Sequence, residues 1–248
     1  MFIIERTMAV APIVLLLMAC AFATAQHPLP LAASWQTGHH TALDQYYPGW
    51  QMDRIDEGHA MLPCFTLPGP DGAVPGEDFA HAGPEVYFAE PMRRAREAGL
   101  PICLTSTQWE SFLSRDDAYY SLPADENPNW VTVDGEVKRA VSPFGPVKWW
   151  SELGRKWTDS EIVRYLQELY PDPPYVILLS NNEAAHLRWH QAEQSARYMA
   201  LHGPGRSDEF KRRVVGDGYI ERYRALFDAM REGLGPWRDR VILVGYGE

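Results

Sequence analysis

The run Tyr175-Val-Ile-Leu-Leu-Ser-Asn-Asn-Glu-Ala184 restricts the fold of this chain more than any other stretch. Val176 to Leu179 are apolar without interruption, and Ser180 to Glu183 are polar without interruption. A strand that is apolar on both faces has to be covered on both sides, which is the condition of a parallel sheet rather than of a half-solvated antiparallel one. Ahead of it Ile162, Leu166 and Leu169 share a helical face, with Thr158 and Glu161 as a capping box, and Pro171 to Pro174 close that helix. Helix, short connection, buried strand and polar exit make one turn of a repeating unit, and the polar exit is where such proteins place their chemistry.

The same pattern recurs along the chain. Leu31 to Trp35 read as a first strand, Ala60 to Leu67 as a second ending in the turn-rich Pro68-Gly-Pro-Asp-Gly72, Ile102 to Thr105 as a third, and Val241 to Val244 as a fifth. A helix is expected from about Pro84 to Ala98, interrupted by Pro91 and capped by Gly99. Another is expected over Gln191 to His202, broken by Gly203-Pro-Gly205. A third carries Tyr219, Tyr223, Leu226, Phe227, Met230 and Leu234 at helical spacing until Gly235-Pro236. From Ser111 to Trp157 no helical or strand period persists, except that Trp130 to Lys138 alternate about Asp134-Gly135, a strong hairpin signal. The segment 111–157 therefore reads as an insertion carrying a β-hairpin over the same end of the sheet as Glu183, with Trp149, Trp150 and Trp157 packing it down. The order of elements is that of an α/β protein with a parallel sheet.

Composition narrows the partners. A net charge of -10 and a pI near 5.3 disfavour nucleic acid and anionic membranes. Nine Trp and twelve Tyr supply flat faces of the kind sugar clefts use, and aromatic-rich cores use them as well. Arg6, the apolar stretch Met8 to Cys20 and Ala23-Thr24-Ala25 form an export signal over residues 1–25, which predicts a secreted or periplasmic mature chain over 26–248 without a transmembrane segment. Leu17-Met-Ala-Cys20 offers the alternative of a lipoprotein anchored through Cys20, against which Met18 counts. Cys64 and Cys103 lie in apolar strands, where they are either buried thiols or a disulfide.

Each strand leaves polar or aromatic groups at one end: Trp35, His39 and His40; Gln108, Trp109 and Glu110; Asn182 and Glu183; Tyr246 and Glu248. Around a (β/α) barrel such groups surround a single cleft. The pair Asn182-Glu183, closing the fourth strand, resembles the acid/base motif of the large clan of retaining (β/α)8 glycoside hydrolases that includes many β-galactosidases, cellulases, mannanases and agarases. The resemblance implies a TIM barrel acting on a poly- or oligosaccharide without a cofactor. It further implies that Glu183 protonates the leaving oxygen and then deprotonates water, while Asn182 binds the sugar 2-hydroxyl. Retention needs a second carboxylate about 5 Å away. In the clan that nucleophile closes the seventh strand. The likeness spans about five βα units, so the sequence reads as the N-terminal part of a longer barrel, inactive by itself, with Glu248 a weak substitute for the nucleophile.

Trp109 is the foremost candidate for stacking on a sugar ring, with His186, Arg188 and Trp189 as further lining and Arg188 as a partner for Glu183 or Glu110. Two other functional readings compete: a non-catalytic carbohydrate-binding barrel, and a metal-dependent hydrolase in which Glu183, His186 and His190 share a helical face. A purely structural reading has Asn181, Asn182 and Glu183 capping a helix that starts at once.

Overall fold

The computed structural model describes residues 31–32, 48–58, 61–67, 69–70, 88–106, 109–181 and 185–246. Its frame is a parallel sheet. β3 (Cys64–Thr66), β4 (Ile102–Thr105), β7 (Val176–Asn181) and β8 (Val241–Tyr246) lie side by side in that order, every pair parallel. β1 (Leu31–Ala32) pairs in parallel with β2 (Met61–Leu62), which precedes β3 by only Pro63. Strand order thus follows chain order without reversal. The β7–β8 ladder is the longest, running in register from Val176↔Val241 to Asn181↔Tyr246.

Alternation sorts the strand residues to the two faces. Phe65, Ile102, Leu104, Val176 and Leu178 join the main core with Met92, Trp150, Trp157, Ile162, Leu166, Leu226 and Met230. On the opposite face Cys64, Cys103 and Leu62 form a smaller cluster with Ile177 and Leu179. Cys64 and Cys103 are register partners on neighbouring strands, buried and unbridged, which settles the open question of their state in favour of thiols.

The helices are α1 (Pro48–Asp56), α2 (Glu90–Glu97), the short α3 (Phe112–Arg115) and α4 (Asp117–Tyr120), α5 (Lys148–Thr158), α6 (Glu161–Leu169), α7 (Ala196–His202) and α8 (Asp208–Gly233). Pro91 does not break α2, because it stands in the first turn, where its missing N–H forfeits no helical bond. Gly99 ends α2 with φ +62°, its N–H donating to Arg96 O while Leu100 N–H donates to Ala95 O.

Three expectations need correction. The stretch taken as aperiodic contains α5, whose buried Trp150, Leu153, Gly154 and Trp157 follow helical spacing and face α8 and the core. Thr158 forms no capping box with Glu161: it closes α5, its hydroxyl donating back to Arg155 O, and α6 starts after Ser160. The long helix α8 begins eleven residues before Tyr219, where the Ser207 hydroxyl accepts from Phe210 N–H.

The hairpin is present as β5 (Asn129–Val131) and β6 (Val137–Val141), and Gly135 takes φ +84° at its tip. Val141 forms a parallel bridge with His186. The insertion is thereby tied to the segment that leaves β7. Among the described residues no helix is long and apolar enough to cross a membrane.

Candidate functional site

At the exit of β4 the chain enters a 3-10 turn, Trp109–Ser111. The Trp109 indole N–H donates to Leu179 O at 2.7 Å, and its ring meets Trp157 edge-on at 4.7 Å. In return the Trp157 indole N–H donates to Trp109 O at 3.2 Å. Trp109 is 0% exposed, so the expectation that it stacks on a sugar is corrected: it braces the exits of β4 and β7 from inside the core. A large aromatic residue after a buried strand signals either role in sequence; the carbonyl at Leu179 that draws its N–H inward is supplied by another strand.

The tight turn sends Glu110 inward as well. Its carboxyl is 0% exposed, and among the described residues neither oxygen has a hydrogen-bond partner at ordinary distance and angle. Oε1 lies 3.4 Å from His186 Nε2. The same Nε2 meets the Tyr223 hydroxyl at 2.9 Å. The Tyr219 ring stands edge-on to the imidazole, with centroids 5.1 Å apart and planes at 82°. Glu110 therefore sits behind His186, whose side chain is 18% exposed.

His186 is held from the backbone too. Leu187 N–H donates to Val141 O at 3.0 Å and Val141 N–H donates to Ala185 O at 2.9 Å. Both carbonyls, Val141 O and Leu187 O, lie 3.0 Å from the Tyr219 hydroxyl, which donates to them in a shared bond. β6, the β7 exit and α8 meet at this one point. Burial pushes the Tyr219 and Tyr223 hydroxyls well above the ordinary tyrosine range, and the negative charge of Glu110 pushes both in the same direction. Both remain neutral donors at physiological pH.

Carboxylate and hydroxyl approach the same ring nitrogen. A nucleophile–His–acid relay needs them on opposite nitrogens, so Tyr223, His186 and Glu110 are not one. The arrangement can instead fix the orientation of the imidazole. The sequence places Tyr219 and Tyr223 only at helical spacing with Leu226 and Phe227. Their polar tips on a core-facing stripe were the available signal, because a buried tyrosine hydroxyl has to find a partner.

Other expected residues are placed as follows. Arg188 is exposed and opens the 3-10 helix Trp189–Gln194, its backbone N–H donating to the Gln191 side-chain oxygen at 3.0 Å. The partner of Glu110 is His186 rather than Arg188. Trp189 is half-buried beneath the Arg212 guanidinium, 4.3 Å from its ring centre. The backbone of Tyr246 is in register with Asn181. Trp35, His39, His40, Gln108, Asn182, Glu183 and Glu248 lie outside the described residues, as does the segment 1–25.

Two alternatives lose their structural premise. His186 lies in a β-bridge and Arg188 is extended (ψ 155°), so no helix carries His186 and His190 on one face or offers its first turn to the Asn181–Glu183 segment. Among the described residues no group of three His, Cys, Asp or Glu side chains could hold a metal. Comparisons with protein-family models, with curated proteins and with solved structures find no match.

Proposed function

We propose that the chain is a glycoside hydrolase built on a (β/α) barrel, cleaving poly- or oligosaccharides by a retaining mechanism with Glu183 as acid/base and Asn182 on the sugar 2-hydroxyl. One observation carries the proposal. The exits of two neighbouring parallel strands converge, with Glu110 beyond β4 and His186 beyond β7 only 3.4 Å apart at the polar end of the sheet. In the chain Glu183 stands between β7 and His186. A parallel sheet that runs in chain order agrees with a barrel, whose ring of strand exits gathers remote residues about one substrate.

The chemistry needs a carboxyl that gives up its proton to the leaving oxygen and recovers it from water. Replacing Glu183 by Gln removes that capacity and preserves shape. In a protein that carries the whole barrel with its nucleophile, the expected outcome is retained oligosaccharide binding, measured by affinity electrophoresis, with loss of aryl-glycoside hydrolysis. Turnover unchanged in Glu183→Gln would remove Glu183 from the acid/base role. Saccharide binding without cleavage by the wild-type protein carrying the whole barrel favours the non-catalytic reading, and absence of both ends the proposal.

A further inference from the structure

We propose that Cys64 and Cys103 form a redox site, whose two thiols close to a disulfide across β3 and β4 when the chain folds in the presence of a small disulfide such as oxidised glutathione. The pair lies on the other face of the sheet from the main core and does not depend on the carbohydrate reading.

The sheet brings the two sulfurs together. Cys64 and Cys103 are register partners on adjacent parallel strands, and the next partners along, Phe65 and Leu104, belong to the main core, so alternation turns both cysteines to the other face. Neighbouring strands run about 4.8 Å apart, within the roughly 4.4–6.8 Å between Cα atoms that a disulfide spans. Cys103 N–H donates to Pro63 O at 2.9 Å and Cys64 N–H donates to the Gln51 side-chain oxygen at 2.6 Å, which holds both backbones in place. A hydrogen bond joins the two side chains, so the sulfurs already face each other. Leu62, Ile177 and Leu179 pack around them, and both cysteines are buried. Side chains on facing strands start about 1 Å further apart than the Cβ atoms of a relaxed disulfide. The bond therefore closes under strain, and a strained disulfide is readily reduced, which makes the pair a reversible link.

The exchange needs no other reactant. One thiolate attacks the small disulfide and expels half of it as a thiol; the second thiolate attacks the mixed disulfide and expels the other half. Two S–H bonds break and one S–S bond forms, and the small disulfide takes up the two electrons and two protons. Burial closes the folded dithiol to reagents, so the exchange takes place while the strands are still coming together. An exported chain folds where such disulfides are at hand. The link ties β3 to β4, the strand whose exit carries Trp109 and Glu110.

The full chain, reduced in urea and refolded in a mixture of reduced and oxidised glutathione, is quenched in acid, alkylated and mapped by proteolysis and mass spectrometry. The expected product joins the peptides of Cys64 and Cys103 at their summed mass less two hydrogens, with Cys20 outside the link. The ratio of linked to open pair should be about tenfold or more higher in the refolded chain than in chain held in urea with the same glutathione, because folding brings the sulfurs together. The linked chain should keep the tryptophan fluorescence of the reduced one, and Cys64→Ala should fold with Cys103 unlinked. Both cysteines recovered as alkylated thiols, a ratio no higher than in urea, or a linked chain without native fluorescence overturns the proposal. If the chain does not refold from urea, the same map of chain produced in the cytosol and by export to a bacterial periplasm decides: the pair should be open in the first and linked in the second, and an open pair in the exported chain overturns the proposal.

Discussion

Glycine-to-alanine exchange in two helices of this chain should change stability in opposite directions. Gly154 in α5 and Gly216 in α8 both lie inside helices, where alanine is favoured over glycine by about 1 kcal/mol. Around Gly216 an added Cβ would meet nothing within 4 Å. Around Gly154 it would fall 2.3 Å from Leu226 O and 2.9 Å from Ala229 Cβ, both on α8. One neighbour is backbone, which cannot rotate away, so α5 has to move off α8 and the packing of Trp150 and Leu226 loosens. Overpacking of this kind costs roughly 1–3 kcal/mol or more, and a clash against a carbonyl belongs at the upper end. Gly154→Ala is therefore expected to lose about 2 kcal/mol net, and Gly216→Ala to gain about 0.5–1 kcal/mol. For a chain of this length that is a fall in Tm of about 4–8 °C against a rise of about 1–4 °C. Urea titrations followed by tryptophan fluorescence give the same comparison through their midpoints, provided the slopes agree. A Gly154→Ala protein as stable as the wild type, or both variants moving together, would refute the close approach of α5 and α8.

Three further outcomes are expected. Trp109→Phe, which keeps an aromatic ring and removes the indole donor from Leu179 O, leaving it the longer bond from the Thr105 hydroxyl, should destabilise the chain by about 1 kcal/mol and leave saccharide affinity per folded molecule unchanged; loss of affinity at constant stability would return Trp109 to the substrate face. Because Tyr219 and Tyr223 have folded pKa values above their unfolded ones, their stabilising effect is complete below about pH 10 and declines as pH rises and the unfolded tyrosines ionise, by about 1.4 kcal/mol per pH unit for each. Urea titrations at pH 8, 10 and 11 should show that decline and a shallower one in Tyr223→Phe, and identical slopes would contradict the burial of that hydroxyl. Cys64 and Cys103 are both buried, and the hydrogen bond with Cys64 together with burial raises the pKa of Cys103, so the burial of both predicts no reaction with iodoacetamide at pH 8 until urea is added; rapid labelling of the folded chain would place that face of the sheet in water.

The sequence by itself determined the scaffold, since its signals are local. Apolar runs at 64–67, 102–105, 176–179 and 241–244 became strands, Asp134-Gly135 turned a hairpin, and Gly99 and Gly235 ended elements in positive φ. Each of those depends on residues a few positions apart. The helix at 148–158 is also legible, in the spacing of Trp150, Leu153, Gly154 and Trp157. The site required the tertiary structure. Trp109 and Glu110 sit at a strand exit, where sequence reads them as cleft residues, yet both are buried because Leu179 O and His186 Nε2 lie on a neighbouring strand's exit and draw them inward. Tyr219 and Tyr223, about thirty-five residues further along the chain, complete the surroundings of His186 through hydrogen bonds that no spacing announces. Periodicity reports which face of an element is apolar, and only packing decides which polar atoms are shut in together and therefore have to answer one another's charge.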